Sequence, residues 1–223
     1  MSWSIQNNVS FTSRKPELRK ADKIMRNMMN LYPSQSISKF RFYNVLNNEN
    51  IDCEKMLTPA IKKIVQIRLN RAEILKKDYL SRTINDIKNY KIANCGELAL
   101  LAKGAFLANG FKDLKIASIK LKRRQNPDNF KLKDLDHCCL LINGGKDADL
   151  NHINSFDKHT IIVDPWMGFV DYIQSALNRY SNKFIKSESK TQKYKLTFSV
   201  AEIPESSVDT CEKLKREHPE FIV

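Results

Sequence analysis

Three short segments hold residue types that could do chemistry together. Ala93-Asn94-Cys95-Gly96-Glu97 opens an apolar run that reads as a helix, Asp136-His137 heads a run that reads as a buried strand, and Val163-Asp164-Pro165-Trp166 closes another. Cysteine, then histidine, then aspartate is the set needed for a thiol nucleophile, an imidazole that takes and returns its proton, and a carboxylate that orients the imidazole. The chemistry is acyl transfer through a cysteine thioester. A free cysteine is mostly un-ionised at neutral pH, and its pKa falls at a helix N-terminus and beside an imidazolium. Cys95 stands where the helix would begin. Gly96 leaves room for an approaching carbonyl, and Glu97 in the first turn suits the helix dipole and capping.

A tetrahedral oxyanion would need a donor besides the Cys95 backbone N–H. Asn89 is the first candidate, with Asn94 and Asn85 as alternatives. Trp166 would wall the site and shield a His137–Asp164 bond from water, which strengthens it. Each residue alone has an ordinary reading: a packed cysteine, a strand-end histidine, an aspartate in a turn before proline. Their order is what names a chemistry. Cys138 and Cys139 are adjacent, so on a strand they face opposite sides and cannot jointly grip one metal ion; they read as core. His152 and His159 sit in a polar loop at poor ligand spacing, so neither a metal nor a cofactor is expected.

The elements that must position these groups follow from periodicity. Pro16 to Leu31 has Leu18, Ile24, Met25, Met28 and Met29 near helical spacing, with Tyr32-Pro33 as its stop, and its methionines read as core filler. Ser36 to Leu46 predicts a shorter helix. Thr58-Pro59 predicts the start of a third, running toward Leu80 with Pro at its first position. Residues 85–94 read as a polar turn. Cys95 to Leu107 predicts the central helix, with Asn109-Gly110 as its C-terminal cap. Strands are predicted over Lys115–Leu121, His137–Ile142, Thr160–Val163 and Lys193–Ile203, and helices over Asp171–Tyr180 and Ser207–Glu217. Phe221-Ile222-Val223 reads as a frayed end. Helices, one central helix and then mostly strands make an α+β fold, with an antiparallel sheet packed on the helix that starts at Cys95. A hairpin pairing of the second and third strands would set Asp164 beside His137, which would project from the end of the sheet.

Composition narrows the class. The chain has 223 residues, 42% hydrophobic and 28% charged, as a globular protein with a proper core has. No apolar stretch is long enough to span a membrane, and residues 1–15 are polar, with no hydrophobic region of a cleavable signal peptide. Five scattered cysteines, at 53, 95, 138, 139 and 211, predict reduced thiols and a cytosolic working environment. Of the net charge of +13, residues 1–90 hold +9. That excess could meet an acidic partner, an anionic surface or nucleic acid, although a solvated surface is the more ordinary reading and nucleic acid is not favoured.

Asn94-Cys95-Gly96-Glu97, Asp136-His137 and Val163-Asp164-Pro165-Trp166 resemble the corresponding motifs of papain-like and transglutaminase-like cysteine enzymes, especially those that bacterial pathogens use as secreted effectors, among them glutamine deamidases and effector proteases. The resemblance covers roughly residues 89–170. It implies a papain-like core with Cys95 as nucleophile, His137 as general base and acid, and Asp164 as orienter. It divides the chain into a helical region over 1–84, available for target recognition, and a catalytic core over 85–223, both within one compact unit. It implies a protein substrate, such as a host protein, and secretion by a dedicated bacterial route into host cytosol, with a cytoplasmic location as the alternative. Papain has Asn in the third position and Gln as oxyanion donor; this chain has Asp164, as transglutaminases do, and no Gln in the ten residues before Cys95. Proteolysis, deamidation and transamidation share the thioester, and no calcium-site loop stands out to favour the last. A non-catalytic basic binding module is the rival from a different class.

Overall fold

A computed structural model describes residues 16–34, 36, 53–72, 79–123, 135–144, 155–185, 194–201 and 208–223. The elements in chain order are α1 (Pro16–Leu31), α2 (Cys53–Ala72), α3 (Tyr79–Tyr90), α4 (Cys95–Ala108), β1 (Leu114–Arg123), β2 (Leu135–Ile142), β3 (Ile161–Asp164), β4 (Phe169–Tyr172), α5 (Ile173–Ile185), β5 (Tyr194–Ala201) and α6 (Val208–Glu217), followed by a 3-10 turn over Pro219–Phe221. Helix and strand are mixed, and the five strands pair antiparallel in the order β4-β3-β2-β1-β5. The α+β expectation holds at that level.

Helix α4 is the centre of the molecule. Every residue from Glu97 to Ala108 is buried, so the helix is covered on all sides, as an apolar sequence without a polar face must be. It lies mainly against β2, and α1, α3 and α6 pack around it. Its C-terminus closes as the Asn109-Gly110 pair predicts. Gly110 takes φ +79°, its N–H reaches the Leu107 carbonyl at 3.0 Å, and the Phe111 N–H reaches the Phe106 carbonyl at 3.1 Å. These are the two bonds of a Schellman cap, and the Phe106 and Phe111 rings meet edge to face, 5.1 Å apart, across it. Gly104 lets α3 come close: a Cβ there would stand 2.6 Å from Ile84 Cδ1.

Several boundaries differ from the periodic reading. Helix α2 begins at Cys53, not at Thr58, and carries Pro59 inside it. Tyr79 to Tyr90 is helical, where the periodic reading ends a helix near Leu80 and has the chain polar from Asn85 to Asn94. The reason is amphipathy: Thr83, Ile84, Asp86 and Ile87 are buried while Asn85, Lys88 and Asn89 face outward. Residue 84 therefore lies within a continuous helix. Phe169–Tyr172 is strand β4, pairing with β3 through a turn over residues 165–168, and the helix expected from Asp171 starts at Ile173. Phe221 is a core residue at 1% exposure, not part of a frayed end; Asn109 Nδ2 donates to its carbonyl at 2.7 Å. The expected helix over Ser36–Leu46 and the histidine at 152 fall outside the described residues, apart from Ser36.

Candidate active site

Each of the three residues is delivered by a different element. Cys95 is the first residue of α4, and the Asn94 ahead of it keeps extended backbone at φ −97° and ψ −175°. The Asn94 N–H donates to Glu97 Oε2 at 3.1 Å, which closes the first turn around the thiol-bearing residue. A Cβ placed at Gly96 would meet nothing within 4 Å, so that side of the thiol is open among the described residues. His137 is the third residue of β2, opposite Ile119 within the β1–β2 ladder. It does not project from the end of the sheet as expected. What ends near it is β3: Leu140 pairs with Val163, so Asp164 falls opposite Cys139, two residues from His137 on the same side of the strand.

That offset brings the side chains together. His137 Nε2 lies 2.6 Å from Asp164 Oδ2, with the two side chains 2% and 0% exposed. Asp164 is held from two further directions. Tyr180 Oη donates to Oδ2 at 2.6 Å and the Met167 N–H donates to Oδ1 at 2.9 Å. The turn that supplies Met167 is closed by the Gly168 N–H on the Asp164 carbonyl at 2.8 Å, with Gly168 at φ +78°. Donors converging on a fully buried carboxylate offset the cost of taking it out of water.

Trp166 covers the pair. Its ring centroid is 4.9 Å from that of His137, it is 2% exposed, and its Nε1 donates to Ser36 Oγ at 2.9 Å. The Tyr180 ring stands 5.9 Å from the imidazole on another side. The imidazole is thus enclosed by aromatic surface, and its bond to Asp164 acts in a poorly screened environment.

The thiol and the imidazole lie close enough for each to shift the other's protonation. Because Nε2 is taken by Asp164, Nδ1 is the ring nitrogen left for the thiol. The Cys95 pKa is pulled down to about 5. The hydrogen bond from the Cys138 thiol contributes most; burial opposes it; His137 and the Cys138 backbone N–H add to the lowering. For His137, burial disfavours the charged ring, but Asp164 and then Cys95 outweigh it and raise its pKa to about 10. Near neutrality the pair is a thiolate beside an imidazolium, and its two titrations belong to both groups together. Cys139 is the contrast: fully buried and close to Asp164, its thiol is pushed well above the usual range and stays protonated.

The structure therefore brings Cys95, His137, Asp164 and Trp166 into one place. Asn94 is adjacent, as the residue before the nucleophile. Asn89 lies exposed near the end of α3. Three contributors escape the sequence reading. Cys138 read as core, yet it is the largest influence lowering the Cys95 pKa. Tyr180 sits on the buried stripe of α5 with Ile173, Ala176 and Leu177, a spacing that marks it as inward-facing without naming its carboxylate partner. Arg68, far earlier in the chain, binds Glu97 in the first turn of α4, its Nε 2.7 Å from Oε1 and its Nη2 2.9 Å from Oε2. No group of three or more His, Cys, Asp and Glu side chains among the described residues is arranged to hold a metal ion. No protein-family model, curated protein or solved structure matches this chain.

Proposed function

We propose that this protein is a thiol-dependent acyl-transfer enzyme built on a papain-like core and acting on an amide of a protein substrate. The observation that carries this reading is the buried His137–Asp164 pair, 2.6 Å between imidazole and carboxylate, set where the imidazole and the Cys95 thiol each shift the other's protonation. Cys95 sits at the N-terminus of a helix that lies against an antiparallel sheet, and His137 and Asp164 come from neighbouring strands of that sheet.

In this reading the Cys95 thiolate attacks the carbonyl carbon, and the new oxyanion lies at the α4 N-terminus, where first-turn N–H groups stand outside the intrahelical ladder. His137, charged before the reaction begins, gives its Nδ1 proton to the departing nitrogen and leaves a thioester on Cys95. The neutral imidazole then takes a proton from water as the water attacks the thioester, which releases the acid and restores the thiolate–imidazolium pair. Asp164 holds the ring orientation and balances its charge throughout. If the departing group is ammonia from a glutamine side chain, the product is a deamidated protein. A main-chain amine gives proteolysis, and an amine in place of water gives transamidation. The resemblance to effector-type enzymes supports a host protein as the target and a dedicated secretion route.

Intact-mass analysis of candidate target proteins, incubated with the wild type and with Cys95→Ala, tests the reading. A gain of about 1 Da per site means deamidation, fragments mean proteolysis, and a conjugate means transamidation, each absent with Cys95→Ala. A substrate-free test is timed labelling with iodoacetamide at neutral pH. Cys95 should react far ahead of the other four cysteines, and equal labelling of all five would overturn the proposal.

A further inference from the structure

The Arg68–Glu97 pair joins two parts of the chain that have no sequence proximity. Arg68 comes from α2, and its guanidinium grips both carboxylate oxygens of Glu97 at 2.7 and 2.9 Å. The Glu97 side chain is 7% exposed, against 48% for that of Arg68. Glu97 also accepts the Asn94 N–H through Oε2, so a single carboxylate bridges α2 and the residue that precedes the nucleophile. Glu97 is two residues from Cys95 on the same helix. A buried carboxylate in the first turn of a helix that opens on a thiolate disfavours that thiolate through space unless a cation balances it. Paired bidentate contacts fix geometry as well as charge, which a lysine in the same place does not do.

We propose that Arg68 is a positioning residue of the thiol site: by holding Glu97, which accepts the Asn94 N–H, it keeps the first turn of α4 closed at Cys95 and balances the carboxylate in that turn. The inference rests on the reading of Cys95 as nucleophile. It makes α2, from the half of the chain that carries no triad residue, part of the catalytic apparatus. Among the described residues, the charged and titratable groups that bear on Cys95 come from several elements. His137 and Cys138 come from β2, with Cys139, Asp164 and Tyr180 behind them. Arg68 comes from α2 and Glu97 from α4, and Tyr79 at the start of α3 lies near the guanidinium. Cys95 is the last of the influences on the Arg68 charge, after Glu97, burial and Tyr79, which sets the guanidinium within electrostatic range of the thiol.

The test is the pH dependence of iodoacetamide labelling at Cys95 in the full chain, for wild type, Arg68→Met, Arg68→Lys, Glu97→Gln and the double variant. Arg68→Met leaves Glu97 unbalanced and should raise the midpoint by about 0.5–1 pH unit. Arg68→Lys keeps the charge but loses one arm of the contact, and should shift it less, in the same direction. Glu97→Gln leaves the guanidinium near the sulfur and should lower the midpoint. The double variant should return close to wild type. A purely structural role would lower the melting temperature in all three single variants without moving the midpoints in opposite directions. Should Arg68→Met fail to fold, the opposed shifts of Arg68→Lys and Glu97→Gln carry the test. Unchanged midpoints in folded variants, or shifts of the same sign, overturn the inference while leaving the thiol chemistry intact. Loss of selective labelling in the wild type overturns the proposed function instead.

Discussion

Tyr180 and His137 meet on a single oxygen: the phenol donates to Asp164 Oδ2 at 2.6 Å, and the imidazole Nε2 lies 2.6 Å from the same atom. The phenol therefore fixes the carboxylate and also competes with the imidazole for it. Tyr180→Phe keeps the ring that packs near His137 and removes only the donor. Net stability should fall by about 1–3 kcal/mol, the scale for a buried hydrogen bond to a charged acceptor. Selective labelling of Cys95 should survive, because the Met167 N–H still holds the carboxylate. Thermal melting together with timed alkylation checks both halves.

Asp164→Asn takes away the charge that sustains the imidazolium. The thiolate then loses its partner, and the labelling midpoint of Cys95 should rise by about 1–2 pH units, the range for losing a close opposite charge. Some reactivity should remain, since an amide can still orient the ring through its oxygen. Alkylation rates measured across pH settle the size of the shift, and an unchanged midpoint would detach Asp164 from the thiol.

Cys138→Ala tests a donor that does not look like one. The Cys138 thiol is the largest single influence lowering the Cys95 pKa, while its backbone N–H also points to the sulfur. Alanine keeps the N–H and loses the thiol, so the midpoint should move up. Serine restores a donor and should recover most of the loss. Equal midpoints in both variants would return Cys138 to a packing role.

The pH dependence of the wild type has a defined shape. Labelling should rise through about pH 5 as the pair forms, and turnover should be lost through about pH 10 as the imidazole gives up its proton. Stability follows the same two groups. The raised His137 contributes fully below its unfolded value near 6.5 and loses that contribution as pH climbs through about 10. The lowered Cys95 contributes fully above its unfolded value near 9 and loses that contribution as pH drops through about 5. Between about 6.5 and 9 the gain from one offsets the loss from the other. Their joint effect is a plateau with a decline on both sides, visible in denaturant midpoints of wild type that flatten differently in Cys95→Ala.

Gly104→Ala should destabilise the fold by about 1–3 kcal/mol, as overpacking of a tight core does. The clash is with one atom, Ile84 Cδ1, at 2.6 Å. Ile84→Val deletes that atom, so the pair of substitutions should cost less than the sum of the two alone. Chemical denaturation of the four proteins reads the coupling, and strict additivity would place the strain elsewhere.

What the linear chain discloses is local. The stop at Asn109-Gly110 is legible because a left-handed position after an apolar run asks for glycine, and Cys95 is legible because it begins such a run. Asp164 is legible as a strand end because Pro165 cannot continue a ladder. Helix α3 is hidden because its apolar face is only a few residues wide in a stretch rich in Asn and Lys. Strand β4 is hidden because four residues after Gly168 give too short a pattern to separate strand from helix. Arg68, Cys138 and Tyr180 are hidden for a different reason. Their parts in the site come from packing between elements remote in sequence, and no spacing rule reports a contact of that kind.

Helix α3 runs unbroken from Tyr79 to Tyr90, with Thr83, Ile84 and Ile87 turned inward and Ile84 against α4. Dividing the chain near its middle would sever a folded rod and not a tether. Recombination with other proteins that treats everything ahead of residue 85 as an exchangeable cassette would discard half of that rod along with the Arg68 guanidinium. Crossovers that preserve a working molecule belong outside this helix, not within it.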